Sequence, residues 1–154
     1  AFQSNQARRH EVEDTAAIIL RFDKGALGTL SVSDTIVGPW SWELTAAENP
    51  AYPITRENCY FIGGTRGSME LPASKIWSQE SKRSWWEPIS QSQIEFDAED
   101  PLDIQISHFC DVISGNAQPR VSGLDGLRSL QVVAAIKTSA EQKAPVDLTV
   151  SPAL

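Results

Sequence analysis

The sequence has little of several residues on which common sites depend, with two cysteines, two histidines and one methionine among 154 residues. No apolar run approaches the roughly 18 residues that a membrane-spanning helix needs, so we expect no membrane role. Two cysteines do not make a disulfide framework in a chain of this length, and Cys59 and Cys110 each stand in an apolar run. We therefore expect reduced core thiols and, without an Asn-x-Ser/Thr signal, a cytoplasmic protein.

Positive charge is also scarce, because 13 basic residues face 20 acidic ones and the formal net charge is −7. Nonspecific binding to a phosphate backbone needs a dense patch of Lys and Arg. The closest basic pairs, Arg8-Arg9 and Lys82-Arg83, are too short to form such a patch. The charge balance therefore excludes nucleic acid as the expected partner.

Catalytic and metal-binding patterns are missing from the sequence as well. No Cys, His, Asp and Glu grouping has metal-ligand spacing, and no serine stands in a Gly-x-Ser-x-Gly elbow. The glycine-rich run 63–67 continues into a strand pattern at 68–71 instead of a helix, so it predicts a hairpin and no phosphate cradle. His108 lies beside an apolar helical stripe and is better explained by packing than by catalysis.

The first third of the chain alternates with the period of strands. Residues 12–22 and 26–34 predict a hairpin around Asp23-Lys24-Gly25. The residues predicted to face inward are Ala16, Ile18, Leu20, Phe22, Leu30 and Val32, whereas Thr29, Ser31 and Ser33 form a polar second face. One apolar and one polar face indicate an antiparallel sheet.

The middle of the chain predicts shorter elements. Alternation of Trp42, Leu44 and Ala46 predicts a third strand after Gly38-Pro39, and residues 47–58 predict a loop. Residues 59–62 and 68–71 predict two strands of a hairpin. Residues 73–97 predict one or two edge strands around a loop at 79–84.

The period changes to that of helices at Asp100, which with Pro101 forms a helix start, and Gly115 ends this helix. Ser122 and Asp125 resemble a capping box that opens a second helix, which Pro145 stops. Residues 146–150 predict a last edge strand. The fold class is therefore α+β: a largely antiparallel open sheet with two main helices packed on one face and the other face free for subunit association.

One stretch combines flat apolar rings with carboxylate and amide groups, which suits a polyhydroxylated ligand. Its candidate substrate-binding residues are Trp40, Trp42, Glu43, Asn49 and Tyr52. The alternative is that Trp42 belongs to the core and Trp40 covers a sheet edge. A second aromatic pair, Trp85-Trp86, fits a loop anchored by indoles better than a ligand contact.

Several segments, taken in order, resemble the C-terminal domain of the Gfo/Idh/MocA family of NAD(P)-dependent oxidoreductases. These segments are Val12–Phe22 with Lys24–Leu30, Ile62–Pro72, His108–Gly115, Pro119 with Ser122–Arg128, and the ending with Ala135-Ile136, Ser139-Ala140 and Pro145-Val146. Together they cover nearly the whole chain. Residues 1–154 are therefore expected to be a single domain cut from a longer, two-domain enzyme.

The resemblance implies an N-terminal Rossmann domain that binds NAD or NADP and supplies a catalytic lysine from a Glu-Lys-Pro motif. Neither Gly-x-Gly-x-x-Gly nor Glu-Lys-Pro occurs in this sequence, so no catalytic or cofactor-binding residue is assigned. The family implies a substrate-binding and oligomerisation role, with a sugar or polyol as substrate and a homo-oligomer joined through the open sheet face. Two alternatives stay open: a noncatalytic carbohydrate-binding module and a pure self-association domain.

Overall fold

A computed structural model describes residues 1–97 and 99–148. The elements follow in the order β1 (Phe2–Ser4), β2 (Thr15–Arg21), β3 (Leu27–Ser33), α1 (Trp42–Thr45), β4 (Tyr60–Gly63), β5 (Gly67–Leu71), β6 (Lys75–Ser78), β7 (Ser90–Gln93), α2 (Pro101–Ile113) and α3 (Gly123–Gln142). They divide into two compact units. Unit 1 combines Ala1–Val37 with the described residues from Gln118 onward, and unit 2 is Gly38–Ala117.

Unit 1 contains a three-stranded antiparallel sheet in the order β1-β2-β3. The β2–β3 hairpin closes where Phe22 N–H donates to the Ala26 carbonyl at 2.9 Å, and Gly25 supplies the positive φ of 87° that the turn requires. Ala16 and Ile18 are the buried apolar side chains of β2. They lie on the face predicted to point inward, so the predicted hairpin and its orientation are confirmed there.

Unit 2 contains a four-stranded antiparallel meander in the order β4-β5-β6-β7. The predicted glycine hairpin joins β4 to β5, and Gly64 N–H donates to the Gly67 carbonyl at 2.8 Å. A Cβ on Gly67 would stand 2.7 Å from the Trp77 carbonyl oxygen of β6. Glycine is therefore required where β5 passes the Trp77 carbonyl of β6.

Both long helices begin where the sequence predicts. The Asp100 carboxylate accepts the Leu102 N–H at 2.8 Å, with Pro101 as the first helical residue of α2. At α3, Ser122 and Asp125 form a complete capping box in which each side chain accepts the other's backbone N–H. The backbone nitrogen of Ala1 donates to the Ser139 hydroxyl at 2.7 Å, which links α3 to the residue before β1.

The structure confirms the α+β class and the open antiparallel sheets, but it arranges the strands as two sheets instead of one. The predicted third strand at Trp42–Ala46 is wrong, because Trp42–Thr45 is a turn of helix. Val146–Leu148 form no strand, and the rest of that predicted strand lies outside the described residues. Phe22, Leu30 and Val32, predicted to face inward, stay exposed, and Cys110 is exposed and not the predicted core thiol. Among the described residues, no helix is long and apolar enough to cross a membrane.

Candidate functional site

The segment from Gly38 to Asn58, here called the aromatic loop, carries all the candidate ligand residues of the sequence. Its backbone is fixed at both ends of α1. The Ser41 hydroxyl accepts the Leu44 N–H at 3.3 Å, which starts the helix in place of a strand. Thr55 then closes the loop, because its N–H donates to the Leu44 carbonyl at 2.9 Å and its hydroxyl to the Pro39 carbonyl at 3.0 Å.

Trp42 contacts two residues that help to fix the aromatic loop. Its indole N–H donates to the Glu48 carboxylate at 2.8 Å, and its ring meets the Tyr60 ring at a centroid distance of 5.6 Å with a tilt of 54°. The indole N–H of Trp42 therefore already has a hydrogen-bond partner, and its ring already has an aromatic contact. Trp42 is half-buried, and its contact with Tyr60 links it to β4.

Trp40 and Tyr52 are the rings of the loop that face solvent, 61% and 45% exposed. The Trp40 ring lies over Gly38, where an added Cβ would meet the ring at 3.0 Å. Glu43 and Asn49 are also exposed. The aromatic loop thus presents two free aromatic faces, one carboxylate and one amide.

Asn49 stabilises a turn of the aromatic loop and keeps donor groups exposed. Its side-chain oxygen accepts the Ala51 N–H at 3.0 Å and its carbonyl accepts the Tyr52 N–H at 3.2 Å, which makes a turn. Within the described residues its amide NH2 has no partner. Asn49 therefore places the Tyr52 ring and keeps two donor hydrogens for a ligand.

A buried polar cluster at the base of the loop could not be recognised in the sequence. Asn58, which is buried, donates to the Glu70 carboxylate at 2.7 Å and accepts the Ala73 N–H at 3.0 Å. The other Glu70 oxygen accepts the Trp77 indole N–H at 2.6 Å. Neutral donors thus satisfy both carboxylate oxygens, and the cluster joins the end of the loop to β5 and β6.

A buried carboxylate, Asp14, organises the chain before β2 in unit 1. Its Oδ2 accepts the backbone N–H groups of Arg8 at 2.9 Å and Ala7 at 3.0 Å. The bond from the Arg8 N–H is the main reason that the pKa of Asp14 lies below its usual value, and burial opposes this shift. Asp14 therefore acts as an ionised anchor for residues 5–10 rather than as a proton donor.

The described residues show no fit to a nicotinamide cofactor. A pyrophosphate needs free N–H groups at a helix start. The carboxylates of Asp100 and Asp125 already accept such groups at α2 and at the N-cap of α3, and they would repel an anion. The same residues contain no group of three or more Cys, His, Asp or Glu side chains that could hold a metal.

Comparison with known protein families matches residues 1–148 to the Gfo/Idh/MocA oxidoreductase family, C-terminal alpha/beta domain. The chain belongs to this family, as the order of its sequence segments indicates, and it is the C-terminal domain of an oxidoreductase. The family is NAD(P)-dependent. No curated protein and no solved structure matches the chain.

Proposed function

We propose that this domain binds the substrate and joins the subunits of an NAD(P)-dependent oxidoreductase that acts on a sugar, polyol or related hydroxylated molecule. Hydride transfer would need a cofactor domain elsewhere in the enzyme. The observation that carries the proposal is the aromatic loop, where hydrogen bonds fix the backbone and leave Trp40 and Tyr52 uncovered. The partner is thus a small molecule and a second subunit.

The chemistry of the aromatic loop supports a ligand with many hydroxyl groups. The C–H face of a sugar ring packs on an indole or phenol ring, and Trp40 and Tyr52 are the exposed rings that we propose for this contact. Its hydroxyl groups need directional partners, which the Asn49 amide and the Glu43 carboxylate offer. Trp42 contributes indirectly, since its bond to Glu48 and its contact with Tyr60 fix the start of α1.

The face of the unit 1 sheet that carries Thr29 and Ser31 supports the oligomerisation role. The strand register places Phe2, Ile19 and Leu27 on this same face, and they are 78%, 75% and 73% exposed. Large apolar side chains on an open sheet face gain free energy when a second surface covers them. A second copy of the same sheet offers the matching mixture of apolar and hydroxyl groups.

Substitutions in the full-length oxidoreductase test the ligand role. Trp40→Ala removes an aromatic contact of about 0.5–1.5 kcal/mol, so KM for the hydroxylated substrate should rise about fivefold with kcat nearly constant. Asn49→Ala should also raise this KM. Cofactor affinity should not change, and Val37→Ala, a change at an exposed apolar residue outside the loop, should leave all constants unaltered. An unchanged KM in both loop variants contradicts the assignment.

Light scattering of the purified chain tests the association role. Ile19→Asp places a charge on the proposed sheet interface and should convert the oligomer to monomers. Ile36→Asp makes the same change at an exposed residue outside the strands and should leave the mass unchanged. A monomeric wild-type chain at high concentration, or equal behaviour of both variants, would refute association through this face.

A further inference from the structure

The loop between β6 and β7, residues 79–89, carries two adjacent tryptophans outside the aromatic loop. Trp85 and Trp86 are 101% and 93% exposed, so the prediction that these indoles anchor the loop is wrong. Trp42 and Trp77, in contrast, bond their indole N–H groups within unit 2. Large aromatic side chains gain the most from being covered and dominate many binding sites. We call residues 79–89 the tryptophan loop.

The tryptophan loop is held in shape by one side chain. The Gln79 amide donates to the Ser84 carbonyl at 2.6 Å and to the Glu87 carbonyl at 3.0 Å, and it accepts the Ser84 N–H at 3.0 Å. The Ser84 hydroxyl accepts the Trp86 N–H at 3.2 Å. The two indoles thus project from a prearranged backbone, which reduces the entropy lost when a ligand binds.

A small polar cavity of about 200 Å³ lies at the base of this loop. It is lined by Gln79, Glu80, Ser81, Glu87, Pro88 and Ser90. The cavity is open to solvent, and its volume is below the roughly 300–1,000 Å³ of sites for drug-sized ligands, so it has room for only a small part of a larger ligand. Carboxylate and hydroxyl groups are the partners that sugar hydroxyls require.

The charges of the loop favour a neutral ligand. Glu80 and Glu87 are balanced by Lys82 and Arg83, so the loop has no net charge that would attract an anionic lipid surface or a polyanion. The Ser90 hydroxyl lies 3.5 Å from the Glu80 carboxylate, which leaves that carboxylate with a weak partner that a ligand can replace.

We propose that the tryptophan loop is an accessory binding site for a neutral oligosaccharide. One ring occupies the polar cavity beside Glu80 and Glu87, and neighbouring rings stack on the faces of Trp85 and Trp86. This site goes beyond the substrate role of the aromatic loop and uses none of its residues. It gives the domain affinity for chains of sugars longer than a single substrate ring.

The indole N–H signals of the ¹⁵N-labelled chain test this site residue by residue. Trp85→Phe and Trp86→Phe assign their two signals, and the chain is titrated with maltotriose and with cellotriose. One of these sugars should shift both signals at up to millimolar concentration, while the internally bonded indoles of Trp42 and Trp77 stay in place. The Trp40 signal reports the aromatic loop in the same spectra, so failure of one site is separable from failure of the other.

Calorimetry completes the test. The double change Trp85→Ala with Trp86→Ala should abolish the heat of trisaccharide binding, and Val37→Ala, a change at an exposed residue outside both loops, should leave it unchanged. The proposal is overturned if neither sugar shifts the two signals. It is also overturned if the wild type forms a dimer and the double variant does not. Binding of the wild type to vesicles of phosphatidylcholine and phosphatidylserine through these indoles would overturn it as well.

Discussion

Replacing Asn58 by alanine removes the buried amide of the polar cluster. The change removes the bond to the Glu70 carboxylate and the bond from the Ala73 N–H. Trp77 keeps its own bond to Glu70, so the carboxylate loses one of two donors. Because Asn58 is buried, its former partners cannot all regain water in its place.

The magnitude follows from the two lost bonds. A hydrogen bond to a charged group contributes about 1.5–3 kcal/mol and a neutral one about 1 kcal/mol. Glu70 is half-buried, so water offsets part of its loss. We expect Asn58→Ala to lower the free energy of unfolding by about 3 kcal/mol, which corresponds to roughly 9 °C in Tm for a domain of this size.

Urea unfolding followed by tryptophan fluorescence is the suitable assay, because all five tryptophans belong to unit 2. Asn49→Ala is the matched control, since Asn49 is exposed and accepts one backbone N–H, and it should cost about 0.5 kcal/mol or less. Asn58→Asp keeps the shape but sets a second carboxylate beside Glu70, so it should regain stability as the pH falls. Equal stability of Asn58→Ala and Asn49→Ala would refute the reasoning.

Two further predictions concern the hairpin glycines and the buried aspartate. Gly67→Ala forces a Cβ to 2.7 Å from the Trp77 carbonyl and should destabilise unit 2 by about 2 kcal/mol, whereas Gly63→Ala meets open space and should change stability by less than about 0.5 kcal/mol. Similar urea midpoints for the two variants would contradict this contrast. The Arg8 N–H holds the pKa of Asp14 below its usual value, so ionised Asp14 stabilises the fold at neutral pH, and this contribution disappears as the pH falls through the lowered pKa. Circular dichroism should therefore show that Asp14→Asn is less stable than the wild type at neutral pH and that the difference shrinks in acid; a constant difference would exclude this linkage.

Local signals in the sequence predicted the parts of the fold that depend on a few neighbouring residues. The starts of α2 and α3 are encoded within four residues by Asp100-Pro101 and by Ser122 with Asp125. The glycine hairpin before β5 is equally local. The alternation at Trp42–Ala46 wrongly predicted a strand because it spans only a few residues. The hydroxyl of Ser41 caps a helical turn there instead.

The candidate site was less predictable because its contacts join distant parts of the chain. Composition marks the aromatic loop, but it does not show that Trp42 contacts Tyr60 and bonds to Glu48. In the sequence, Glu70 looks like any polar residue of a short strand. Its donors Asn58 and Trp77 lie 12 and 7 positions away. Nothing local in the sequence distinguishes these three residues from their neighbours.

The division of the chain has a consequence for the order in which it folds during synthesis. Unit 2 is continuous, so all its strands and α2 have left the ribosome once Ala117 is free. Unit 1 is split, because β1, β2 and β3 precede unit 2 whereas α3, which contacts β1, follows it. Contacts of such long sequence separation form slowly, because a long loop must close first. A nascent chain that stops before α3 would therefore contain a finished unit 2 and a complete three-stranded sheet that still lacks its helix.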